Sequence, residues 1–100
     1  MSNPVFKGFA AQSRLVRIPE VFFQEILPEL DDMDEMRVTL YSLWYLERLE
    51  QPVKYLHVSD YMRDKALMRS FGGDPETHLM AGLHKAITRG TLLCLSLIHI

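Results

Sequence analysis

VKYLHVSDYMRDKALMRSFGGDPETHLMAGLHKAITRGTLLCL, residues 53–95, decides how this chain is read. Residues 53–58 alternate and are rich in β-forming side chains, so a short strand is expected there. Ser59 can cap a helix over residues 60–70, with Tyr61, Met62, Leu67, Met68 and Phe71 on its apolar side. Gly72-Gly73 supplies a left-handed exit. Asp74-Pro75-Glu76 restarts a helix with a capping acid, a proline whose missing N–H has no partner to lose, and an acid at the positive dipole end. Leu79, Met80, Leu83, Ala86 and Ile87 mark the buried stripe of this second helix, and Gly90 stops it after Arg89. Residues 91–95 then read as a strand. Helix, tight turn, helix and strand is the order of a helix-turn-helix with a wing, and the strand at 53–58 is expected to pair with one at 91–97.

Working back toward the N-terminus, Asp31-Asp32-Met33-Asp34-Glu35 is the strongest helix start in the chain. Asp32 as N-cap and Glu35 three residues later have the capping-box spacing. Met36, Leu40, Leu43, Trp44, Leu46 and Leu49 recur at helical spacing as far as Glu50, and Gln51-Pro52 stops the run. Ile18-Pro19-Glu20 opens a shorter helix with Val21, Phe22, Phe23, Ile26 and Leu27 on its apolar face, ended by Pro28. Residues 1–17 show no period, and Phe6 and Phe9 look like aromatic anchors on an extended arm. The expected fold is mainly α with a small β-sheet: a winged helix-turn-helix of four helices plus two or three short strands over residues 18–95, preceded by an arm, 1–17.

The stretches FKGF, SRLVRIPEVFFQEILPELDDMDEMRVTLYSLWYLERLE, VKYLHVSDYM and LHKAITRGTLL resemble the amino-terminal half of bacterial DnaD-like replication-initiation (primosome) proteins. The resemblance runs from about Phe6 to Leu93 and is most specific over residues 18–40. It implies a winged-helix domain for self-association and a separate carboxy-terminal helical domain for DNA and partner binding. It implies a non-catalytic role in replication initiation, with a helicase or helicase loader as partner and a homo-oligomeric state. This sequence stops where a family member would continue through its wing. Residues 96–100 resemble the read-through tail of a truncated gene prediction and are set aside as non-native.

One hundred residues suffice for a single modest core, and a hydrophobic fraction of 48% is that of a globular domain. Net charge is −2, but its distribution is uneven. Residues 1–19 hold three bases and no acid, residues 20–50 nine acids against Arg37 and Arg48, and residues 51–100 six bases against four acids. Such polarity fits an oriented contact with a polyanion or a second copy, and also ordinary solvated helix faces. With no apolar signal core and no run long enough to span a bilayer, no membrane partner is expected and the location expected is cytoplasmic.

No enzyme, cofactor or metal is expected. His57, His78, His84 and His99 lack the i, i+4 spacing of a helical metal site, Cys94 stands alone among leucines, and Gly72-Gly73 has no phosphate-loop Lys-Ser/Thr after it. Asp31, Asp32, Asp34 and Glu35 have the oxygens to hold a divalent ion, but helix capping accounts for them more simply. What remains is binding. Thr77, His78, Lys85 and Arg89 on the helix 76–89, with Arg63, Lys65 and Arg69 before it, are the candidate DNA contacts, too few for more than weak, salt-sensitive binding. Phe6, Phe9, Arg14, Arg17, Phe22 and Phe23 are the candidate self-association residues. The alternative to the replication module is a winged-helix transcriptional regulator that reads DNA through helix 76–89.

Overall fold

A computed structural model describes residues 8–10, 12–49, 55–91 and 97–99. The described chain is mainly helical. A π-helical turn, Phe22–Ile26, runs into a 3-10 turn, Leu27–Glu29; the helices proper are α1 (Met33–Arg48), α2 (Val58–Met62), α3 (Lys65–Ser70) and α4 (Pro75–Arg89). None of them is long and apolar enough to cross a membrane.

The α1 start is built as its sequence suggests, with one exchange of partners. Asp32 is extended (φ −129°, ψ 121°), and its Oδ1 accepts from the Asp34 N–H at 2.7 Å and the Glu35 N–H at 3.2 Å. Such a cap is worth about 1 kcal/mol. Glu35 does not close the capping box; its carboxylate is taken by Arg89 of α4.

The helix expected after Pro19 forms with altered geometry: Glu20 and Val21 are α-helical and lead through the π turn into the 3-10 turn. Pro28 has no N–H to continue a ladder, and the segment closes at Leu30 N–H to Leu27 C=O, 3.2 Å. The single helix expected over 60–70 is two helices, because Asp64 leaves the helical region (φ −86°, ψ 103°) and caps α3 through Leu67 N–H at 3.0 Å. Asp competes with helical backbone bonds and favours caps, so the apolar periodicity runs straight across a real break. The first of these helices also starts earlier than Ser59. His57 precedes α2, and Asp60 reaches back to the His57 N–H at 2.8 Å.

Gly72 (φ 87°) and Gly90 (φ 89°) take the left-handed conformations their positions call for, one leaving α3 and one ending α4. Between α1 and α4 the contact is close enough to exclude a side chain. A Cβ on Gly82 would lie 2.6 Å from the Asp34 carbonyl oxygen and 2.9 Å from Val38 Cγ2. The core lies between these two helices: Val38 and Leu46 from α1 against Leu79, Leu83 and Ala86 from α4, closed by Leu56, Tyr61 and Phe71.

Strand β1 (Tyr55–His57) pairs in parallel with β2 (Leu97–His99), Tyr55 opposite Leu97. Of the partner strand expected at 91–97, Leu97 pairs as expected. Thr91 is helical and buried, and residues 92–96 lie outside the described residues, as do 53 and 54 of the expected first strand. Two strands joined by a tight turn, which a wing requires, are not seen among the described residues.

Candidate interaction surface

The outer side of α4 meets the acidic start of α1. His78, Lys85 and Arg89, at i, i+7 and i+11, face Asp34, Asp32 and Glu35 in that order. His78 Nδ1 lies 2.7 Å from Asp34 Oδ2, and Lys85 Nζ pairs with Asp32. Arg89 donates from Nε and Nη2 to the Glu35 carboxylate at 2.6 and 3.1 Å, and from Nη2 to the Glu29 carbonyl at 3.4 Å. Glu35 is 1% exposed. The Lys85 hydrogen bond holds the Asp32 carboxyl below its usual range, and the same bond raises Lys85. Beside this seam Asp31, Glu35, His84, Lys85, Thr88 and Arg89 line a mixed-charge cleft of about 350 Å³. Of the other nominated contacts on α4, Thr77 donates to Asp74 at 2.7 Å. Beside these, Ala81 is exposed and Gly82 is buried where α1 approaches.

Cations without an acid lie on α3. Lys65 and Arg69 are exposed and form no ion pair with any described residue, whereas Arg63 pairs with Asp60. They flank an open groove of about 530 Å³ with Met62, Met68, Gly72 and Pro75. Of the acids nearby, Asp60 and Asp64 are turned inward, whereas Asp74 and Glu76 on either side of Pro75 are exposed. Asp64 accepts from the Tyr41 hydroxyl at 3.0 Å, and Asp60 from Tyr45 at 3.3 Å. Burial raises both tyrosines, reinforced by these carboxylates. Tyr61 OH meets Ser42 Oγ at 2.6 Å, and burial pushes it up to about 12. These bonds tie α2 and α3 to α1 and leave the cations of α3 facing out.

The third feature is the arm. Phe9 is 86% exposed and Leu15 89%, and Ile18, Val21 and Phe23 continue an exposed apolar run. Phe22 turns inward, buried and edge-to-face with Phe23 at 5.2 Å. Arg17 Nε anchors the arm to Glu47 of α1 at 2.8 Å, and Arg14 is exposed. Phe6 lies outside the described residues.

Sequence reasoning took Met62 for a buried residue and the α1 acids for caps alone. The signal available for the seam was the matching order of three basic or titratable residues on one face of α4. Comparison with protein-family models, with curated proteins and with solved structures finds no match.

Proposed function

We propose that this chain is a non-catalytic, DnaD-like replication-initiation module of winged-helix type, which self-associates through its N-terminal arm and engages a helicase or helicase loader. The observation that carries the reading is the set of exposed apolar side chains Phe9, Leu15, Ile18, Val21 and Phe23, because large apolar side chains left in water beside a formed core are what an assembly contact covers. Weak DNA contact belongs to the same reading through Lys65 and Arg69. A transcriptional regulator reading bases through α4 is less well supported, since Lys85, Arg89 and His78 already face carboxylates within the chain.

Sedimentation velocity at micromolar concentration tests it. The parent chain is expected to associate, and Phe9→Ser with Leu15→Ser is expected to return it to monomer. A parent that stays monomeric, or an arm variant that associates unchanged, sinks the assembly claim.

A further inference from the structure

We propose that α3 is a gate: it melts in place while α1 and α4 stay packed, and Tyr41 of α1 holds it shut through Asp64. Most local influences oppose this helix. It has six residues, none of them buried, and isolated helices shorter than about 12 residues are marginal in water. Its first turn holds no acid and instead holds Lys65, a cation at the positive end of the dipole. Lys65 and Arg69 stand four residues apart with the same charge, which destabilises a helix further. Within α3 only Leu67 and Met68, both half-buried, pack against the core.

The chain on either side is fixed. Tyr61 of α2 is fully buried and bonded to Ser42 of α1, and Phe71 is buried with its ring stacked on His78 of α4. Helices α1 and α4 bury residues along their whole length, whereas α3 buries none. Local opening draws on segments with few buried apolar contacts. The stretch between Tyr61 and Phe71 can therefore lose its helix without the core parting.

One carboxylate closes the gate. Asp64 Oδ1 accepts from the Leu67 N–H at 3.0 Å, which caps α3, and Oδ2 accepts from the Tyr41 hydroxyl at 3.0 Å. The tyrosine thus aims the cap and ties α3 to α1. Opening frees Leu67 and Met68 from the core, and it gives the groove lined by Met62, Met68 and Pro75 one movable wall. This device rests neither on the arm nor on any DNA contact.

Hydrogen exchange of the full chain, followed by NMR at rising urea, tests the gate. The amides of Met68, Arg69 and Ser70 are expected to exchange at least about tenfold faster than those of Leu83 and Ala86 on α4. Their rates should depend little on urea, because melting α3 exposes little surface. Tyr41→Phe is expected to speed the α3 amides about fivefold, the loss of one hydrogen bond. Lys65→Glu puts an acid in the first turn and an opposite charge four residues before Arg69, and should slow them about threefold. Equal rates in α3 and α4 with a common urea slope mean that α3 opens only with the whole domain, and overturn the proposal. So does α3 exchange left unchanged by Tyr41→Phe, or not slowed by Lys65→Glu.

Discussion

Arg89, near the end of α4, grips the Glu35 carboxylate in the first turn of α1 through two nitrogens, at 2.6 and 3.1 Å, across a sequence separation of 54 residues. Glu35 is buried, and that guanidinium takes the place of water around its carboxylate, whereas Asp32 and Lys85 form their pair nearer to solvent. Removing one partner of a buried pair strands the other charge, while exposed pairs contribute little. Arg89→Ala is therefore expected to lower the urea midpoint clearly more than Lys85→Ala. Equal midpoints would show that the two pairs do the same work.

Gly82→Ala is expected to destabilise by about 1–3 kcal/mol, the usual cost of overpacking. Alanine is favoured over glycine inside a helix by about 1 kcal/mol, so propensity alone gives the opposite sign. The added methyl would meet the Asp34 carbonyl at 2.6 Å, and backbone cannot swing aside as a flexible side chain does. A variant as stable as the parent in urea would mean that α1 and α4 separate freely at this point.

Asp64 caps α3 and holds the Tyr41 hydroxyl. Asp64→Ala is expected to cost about 1–2 kcal/mol, and Tyr41→Phe less, about 1 kcal/mol. The two variants share the Tyr41–Asp64 bond, so the double variant should fall short of the sum. Strict additivity in a double-mutant cycle would dissociate the tyrosine from the cap.

Stability is expected to fall at both ends of the pH scale for separate reasons. The Lys85 hydrogen bond lowers Asp32 in the folded state. That contribution is present above the unfolded value of about 3.9 and is lost as pH falls through the lower folded value. Tyr61 is raised by burial to about 12, so its contribution is complete below about pH 10 and is lost as pH rises from there toward 12. In urea titrations across pH, Asp32→Asn should flatten the acid limb and Tyr61→Phe the alkaline limb. Profiles that superimpose on the parent would contradict both assignments.

What the sequence made legible was local. Asp32, Pro75 at the start of α4, and the Gly72 and Gly90 exits each act within one turn, and the Leu79, Leu83 and Ala86 stripe follows a single period; Asp74, read as a capping acid, takes the Thr77 hydroxyl instead of a backbone N–H. The buried face of α1 was harder to read, because Glu35, Thr39 and Ser42 share it with Val38, Leu43 and Leu46. Weighting apolar side chains brought in Leu40, and likewise Met80 on α4, which are 37% and 38% exposed. The break at Asp64 was hidden because its hydroxyl partner is 23 residues away. Of the surface residues, Lys65 and Arg69 were legible as outward cations. The engagement of His78, Lys85 and Arg89 was not, since the acids that meet them lie 44 to 54 residues earlier.

Those long separations bear on the order in which the chain is made. During synthesis α1 leaves the ribosome some forty residues before α4, and folding of a domain must wait for its late partner. A waiting helix with a wholly apolar stripe would be prone to aggregate. The glutamate, threonine and serine set among the apolar residues of α1 make it tolerable in water until Gly82 and Arg89 arrive. The same polar residues that obscure the core in the sequence thus act as a safeguard for the nascent chain.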